Sequence, residues 1–268
     1  MNIDLSGATR LYIIVGDPIA QVKSPGGMTE AFADRGHDGI LVPVQVAPAD
    51  LGALLAVADR LKNLDGIIVT VPHKFACFKH CSSTSARAGF LGAVNIMRRR
   101  QEGGWHGDMV DGIGFVGAVR GKGYEPRGKR ALLVGAGGAG SAIAMALVEA
   151  GVSELAIHDG DTARRDDLVA RLKTLDRANI IAGSSDPDGY DLVANATPAG
   201  MRVADPLPVD VTRLAPATFV GCVITVPAVS PLVEAARRIG CLASTGTDMY
   251  NALQGSMIEF LLAPEERA

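Results

Sequence analysis

The stretch ALLVGAGGAGSAIAMALVEAG, residues 131–151, holds the signals that decide the fold. ALLV is a strand-type apolar run and SAIAMALVEAG a helical one. Between them Gly135, Gly137 and Gly140 fall in the G-x-G-x-x-G pattern. The first glycine permits a tight turn, the second lets backbone approach a pyrophosphate, and the third lets helix pack against strand. The helix N-terminus adds free N–H groups and the positive end of a dipole. Gly135, Ala136, Gly137, Gly138 and Ala139 are therefore the expected cradle of a dinucleotide. The alternative is a glycine turn that merely packs.

The next strand ends at Asp159, 24 residues after Gly135. An acidic residue at about that distance is placed to bind the adenosine ribose 2′-hydroxyl and to repel a 2′-phosphate. The expected cofactor is thus NAD rather than NADP. Asp161 adds a second negative charge, and Arg164 and Arg165 follow one helical turn later, where they stack on adenine or face solvent.

Outward from this unit the chain alternates strands and helices. Upstream strands are expected at LYIIV (11–15), GILVPVQV (39–46), GIIVTV (66–71) and AVNIM (93–97), with Pro43 marking an edge or an interruption. DLGALLAVADRLK (50–62) has helical spacing behind Asp50, an N-cap candidate. Downstream strands are expected at ELAIHD (154–159), DLVANAT (191–197) and TFVGCVI (218–224). The pattern implies an α/β fold with largely parallel sheets and two domains, an N-terminal α/β substrate domain and a Rossmann-type doubly wound dinucleotide domain, with a cleft between them. The expected boundaries are 1–111 plus 246–268 for the substrate-binding catalytic domain and 112–245 for the NAD-binding domain.

Of 268 residues, 48% are hydrophobic, and the formal net charge is −3. That balance gives no reason to expect nucleic acid or an anionic membrane as partner. The one dense basic run, Arg98-Arg99-Arg100, adjoins a QEGG turn and reads as a solvated hairpin end. No run reaches the roughly 18 apolar residues of a membrane helix, and the start lacks a secretion signal, so the cytoplasm is the expected location. Four cysteines are too few for a disulfide scaffold in this length. Cys77, His80 and Cys81 cluster without a second zinc-spaced pair, so packing thiols are expected and no metal.

Seven segments in order resemble the shikimate/quinate dehydrogenase family: GDPIAQVKSPGGM (16–28), GIIVTVPHK (66–74), LGAVN (91–95), GDMVDG (107–112), VGAGGAG (134–140), NATPAGM (195–201) and GTDMYNALQG (246–255). The resemblance implies an oxidoreductase transferring hydride between NAD and a ring secondary alcohol. It implies that Lys74 and Asp111 handle the proton, and that Ser24, Thr70, Asn95 and Gln254 bind a hydroxy-acid substrate. It also implies cofactor contacts at Thr197, Val223, Gly246 and Met249, beside Asp159, Asp161 and Arg164. Oxidation of an alcohol needs a group to take up the hydroxyl proton, and a lysine beside a carboxylate suits that task. Lys74 alone, the coupled pair, and a plain structural ion pair remain distinct readings. The implied assembly is a monomer or a homodimer.

The departures from the family pattern concentrate in the pocket. Val22 stands where a serine is usual, Ile68 for an asparagine, Met109-Val110 for Asn-Thr, and Thr225 for a tyrosine. Each uncompensated lost hydrogen bond to a charged group costs about 1.5–3 kcal/mol. Retained proton chemistry on an altered acid is the expectation. An NAD-binding sensor with little turnover and a dehydrogenase on an unrelated substrate are the alternatives.

Overall fold

The computed structural model describes residues 5–202 and 204–264. Its backbone separates into two units, one running through Val110 and resuming at Gln254, the other spanning Asp111–Leu253. The resumption lies within the last helix rather than at residue 246. The reason is local packing: a Cβ on Gly114 would lie 3.0 Å from the Met249 carbonyl and 2.8 Å from the Leu253 side chain. The first half of that helix thereby belongs with the second unit.

The first unit runs β1 (Arg10–Gly16), α1 (Ser24–Ala33), β2 (Gly39–Gln45), α2 (Leu51–Ala58), β3 (Leu64–Val69), α3 (Lys74–His80), β4 (Ser83–Thr84), α4 (Ala86–Leu91), β5 (Ile96–Arg99) and β6 (Trp105–Asp108). Its sheet has the order β2-β1-β3-β5-β6-β4. β2, β1 and β3 are parallel, whereas β5 is antiparallel to both β3 and β6. The departure from a wholly parallel sheet is confined to β5, which pairs with β6 across the hairpin at residues 100–104; β6 and β4 are parallel again. Pro43 does lie on an edge strand, where its missing N–H disturbs no ladder.

Arg99 corrects the reading of the basic run. It is half-buried, its guanidinium lies 4.4 Å from the Trp105 ring centre, and it donates to the carbonyls of Leu64, Ala58, Leu61 and Asp59. Asp50 stands at the start of α2 but makes no capping bond with its side chain. Cys77 is fully buried and burial pushes its thiol up to about 12, consistent with packing.

The second unit runs α5 (Asp111–Gly121), β7 (Arg130–Val134), α6 (Gly138–Glu149), β8 (Glu154–His158), α7 (Thr162–Lys173), β9 (Asn179–Ala182), β10 (Leu192–Asn195), β11 (Phe219–Cys222), α8 (Pro231–Ile239), β12 (Ala243–Ser244) and α9 (Gly246–Leu262), whose last residues rejoin the first unit. All neighbours in the order β12-β11-β10-β7-β8-β9 are parallel. This is the doubly wound arrangement, reversing between β7 and β10, and such sheets bind ligands outside the strand ends at the reversal. β7 and β10 are buried on both faces, which explains their unbroken apolar runs. No helix among the described residues is long and apolar enough to cross a membrane.

Candidate active site

In the first unit the chain turns at the C-terminal ends of β1 and β3, and the two turns are joined. Asp17 N–H donates to the Val71 carbonyl at 2.9 Å, and Thr70 N–H to that of Val15 at 2.9 Å. Gly16 is required there, since a Cβ would lie 2.3 Å from Thr70 Cγ2. Lys74 follows as the first residue of α3, 7% exposed. Burial of an ammonium group is costly and marks a position with a specific role.

His73 sets the entry to that helix, and the sequence reading passed it over. It is 1% exposed, and its Nε2 lies 2.8 Å from the Val46 carbonyl. A carbonyl only accepts, so Nε2 must carry the proton. The backbone extends the anchor: His73 N–H donates to the Thr70 carbonyl at 3.0 Å, and its carbonyl accepts from Cys77 at 2.9 Å. The only sequence signal was a histidine adjoining Lys74 after a proline.

Asn95 occupies the next strand entry, 3% exposed. Its carbonyl accepts from Val69 at 2.7 Å, its N–H donates to Asp108 at 2.9 Å, and its Oδ1 accepts from Val110 N–H at 2.9 Å. The Lys74 carbonyl accepts from Val94 at 3.1 Å. Thr70, Lys74 and Asn95 are thus gathered at one sheet edge. Ser24 and Gln254 meet α1 instead: Ser24 is its buried first residue, and Gln254 Nε2 donates to the Gly27 carbonyl at 2.7 Å. The substituted residues Ile68, Met109 and Val110 are buried.

In the second unit Asp111 is the first residue of α5 and 6% exposed. An acidic group there is favoured by the helix dipole. Gly112 lets α5 approach α6, since a Cβ would lie 2.2 Å from the Ala142 carbonyl.

The glycine loop behaves as its spacing implies. Gly135 has φ +103°, a conformation that favours glycine, and a Cβ on Gly140 would lie 1.9 Å from the Gly135 carbonyl. A Cβ on Gly137, by contrast, would meet nothing within 4 Å. Gly137 opens the 12-residue helix α6, followed by Gly138 and Ala139 in its first turn. An open space over a helix N-terminus fits a pyrophosphate, so the residues present fit a dinucleotide.

Asp159, 8% exposed, is bound from three sides. Its Oδ2 accepts from Ala136 N–H at 2.6 Å, and its Oδ1 accepts from Asp161 N–H at 2.8 Å and from Arg164 Nη2 at 2.7 Å. Burial alone would raise its pKa, but Arg164 and the two N–H groups outweigh that and hold it below the ordinary value. Arg164 pairs with Asp159 while its side chain stays 47% exposed to solvent. Asp161 caps α7, accepting from Arg164 N–H at 3.1 Å.

The remaining positions line β10, β11 and α9. Thr197 donates through Oγ1 to Asn195 Oδ1 at 2.7 Å, and its Cγ2 lies 2.9 Å from a Cβ on Gly135. Val223 N–H donates to the Asn195 carbonyl at 3.1 Å. A Cβ on Gly246 would lie 2.4 Å from the carbonyls of Val223 and Ile224, so only glycine fits. Met249 is buried in α9, one turn beyond Thr245, whose carbonyl accepts its N–H at 3.1 Å.

Comparison with known proteins places this geometry. Residues 14–97 match the family model of the shikimate dehydrogenase substrate binding domain, and residues 125–173 that of the ThiF family. A shikimate dehydrogenase (NADP(+)) of Rubrobacter xylanophilus is 36% identical over 90% of this chain and 87% of its own. Among solved structures, a quinate dehydrogenase from Corynebacterium glutamicum in complex with NAD is 27% identical, with TM-score 0.83 and coverage of 96% and 95%. A 5-ketofructose reductase of a Gluconobacter strain, ligand-free, is 27% identical, with TM-score 0.81 and coverage of 96% and 94%.

Proposed function

Because the chain belongs to the shikimate dehydrogenase family, we propose that it is a dehydrogenase of secondary alcohols that uses a nicotinamide dinucleotide, and specifically NAD. Its substrate in this reading is shikimate, quinate or a related hydroxylated ring acid. The unit containing Lys74 takes the substrate and the unit containing the glycine loop takes the cofactor. The observation that carries the reading is the buried Lys74 at the C-terminal edge of β3, gathered with Thr70 and Asn95.

When bound, the nicotinamide supplies the hydride acceptor. The chain's own work is to orient the alcohol and move its proton. Thr70 and Asn95 hold ring hydroxyls, with Gln254 and Ser24 completing the pocket from α9 and α1. Lys74, with Asp111 as its partner, takes up the hydroxyl proton as the carbonyl forms and returns it in the reverse direction. Asp159 supports NAD over NADP, since a carboxylate held charged repels a 2′-phosphate. The NADP(+) dependence of the Rubrobacter relative makes this the point most in need of test.

A second reading is favoured by Val22 and Thr225, which replace polar groups at the carboxylate end of the pocket. An uncharged polyhydroxylated ketone, of the kind the Gluconobacter relative reduces, needs no carboxylate anchor. The experiment is a panel of shikimate, quinate, other hydroxylated ring acids and keto-sugars with NAD and with NADP, followed at the reduced-nicotinamide band. Turnover of a ring acid with NAD supports the first reading, and turnover of keto-sugars alone supports the second. Tight NAD binding without turnover would leave a sensor of the same fold.

A further inference from the structure

We infer that Cys222 is a positioning residue for the cofactor, a role that rests on the second unit taking a nicotinamide dinucleotide. Its buried sulfur is the acceptor that fixes the Asn195 side chain, and Asn195 in turn holds the loop of residues 195–199 beside the glycine loop.

The sheet sets the placement. Val134, Asn195 and Cys222 end β7, β10 and β11 and stand in one row, with Asn195 paired to both of the others. Residues paired across a sheet point their side chains to the same face. The chain leaves this row as Gly135, as Ala196-Thr197 and as Val223, the segments assigned to the dinucleotide. The backbone joins them: Ala196 N–H donates to the Val134 carbonyl at 2.8 Å, and Val223 N–H to the Asn195 carbonyl at 3.1 Å. A Cβ on Gly135 would lie 2.9 Å from both the Ala196 carbonyl carbon and Thr197 Cγ2. Movement of Thr197 is therefore felt at the glycine turn.

The side chains add a second tie. Asn195, Cys222 and Ser230 are all buried. Asn195 Oδ1 accepts from Thr197 N–H at 3.0 Å and from Thr197 Oγ1 at 2.7 Å. A backbone N–H only donates, so that end of the amide is its oxygen and the nitrogen faces away. There Nδ2 donates to Cys222 Sγ at 3.4 Å and to the Ala199 carbonyl at 3.5 Å. Ser230 Oγ caps α8 by accepting from Val233 N–H at 3.4 Å, and it donates to the same sulfur at 3.3 Å. One sulfur thus receives two buried donors, one from the end of β10 and one from the head of α8.

A thiol that merely packs has no need of this arrangement. The apolar neighbours Val134, Val220 and Ile224 would accommodate a valine at 222. Valine cannot receive the two donors, and a buried donor stripped of its acceptor costs more than the bond contributed. The Asn195 amide must then turn or the loop must give, and Thr197 moves with it.

The test compares Cys222→Val, which removes the acceptor, with Cys222→Ser, which keeps one. Cys241→Val is the control, since Cys241 belongs to the same apolar cluster but its Sγ donates to the Ala215 carbonyl at 3.3 Å. Two quantities are measured: dissociation constants for NADH and NADPH by fluorescence titration, and amide hydrogen exchange at Thr197 and Val223 in the cofactor-free protein. Cys222→Val is expected to raise the dissociation constant of the better-bound dinucleotide about tenfold and to speed exchange at both amides. Cys222→Ser should stay within about threefold of the parent, and Cys241→Val should lower the melting temperature with affinity unchanged. If Cys222→Val does not fold, Cys222→Ala carries the same comparison. The inference is overturned if the folded variant lacking the acceptor binds and exchanges like the parent. It is equally overturned if Cys222→Ser loses as much as Cys222→Val, or if Cys241→Val weakens binding to the same degree. A parent that binds neither dinucleotide overturns the functional reading itself, and this role with it.

Discussion

Asp159 accepts the backbone N–H of Ala136 through Oδ2 at 2.6 Å, tying the carboxylate after β8 into the glycine loop after β7. One side chain thereby shapes the loop and presents a negative charge beside it. Asp159→Asn keeps an acceptor for Ala136 but removes the charge and the pairing with Arg164. NAD affinity is expected to fall about tenfold while discrimination against NADP is lost. Dissociation constants for both cofactors, measured by fluorescence titration, check this.

The second and third glycines of the motif separate packing from ligand approach. Gly140→Ala places a Cβ 1.9 Å from the Gly135 carbonyl, so the loop must shift and both melting temperature and cofactor affinity are expected to fall. Gly137→Ala meets no heavy atom within 4 Å. Its melting temperature should stay within about 2 °C of the parent, corresponding to at most about 0.5–1 kcal/mol, while dinucleotide binding collapses. Melting curves with and without NAD distinguish the two.

Asp108 stabilises the first unit in a pH-dependent way. Burial alone would raise its pKa, but Arg87, Ser85 and the Met109 N–H hold it below the ordinary value of 3.8. A carboxyl depressed in the folded state contributes stability that is complete above its unfolded pKa and is lost as pH falls through the folded one. Asp108→Asn should therefore cost about 1–3 kcal/mol at pH 7. The deficit should shrink as pH drops below about 3.8, the ordinary value. Urea denaturation of both proteins across that range measures it.

His73 is expected to act through Lys74. His73→Ala leaves the Val46 carbonyl without its donor and opens a void at the head of α3, at a cost of about 1–3 kcal/mol. A merely structural role would lower the melting temperature alone. A positioning role also lowers kcat with little change in KM for the cofactor, and His73→Gln, which keeps a donor, should recover part of it.

The long strands and the loop were legible because burial on both faces writes them as unbroken apolar runs, as in β3 and β7. β6, with sequence WHGD, was not legible: its pairing comes from β5 across the hairpin and from β4, and the four residues themselves carry no apolar alternation. The two-residue strands β4 and β12 are equally silent, being made by their neighbours. At the site, glycine spacing announced the cradle, whereas the three-way grip on Asp159 and the anchoring of His73 depend on folded proximity. Arg99 shows the same limit, since only the folded hairpin brings four carbonyls to its guanidinium.

The central claim is that the buried amine at the head of α3 moves the substrate's proton. The most direct measurement is kcat of Lys74→Ala on the best substrate of the panel, alongside its dissociation constant for NAD. Loss of about 10²–10⁴ in kcat with NAD affinity within about threefold of the parent is the predicted result. A variant that folds, binds NAD and turns over at a rate close to the parent's would contradict the account.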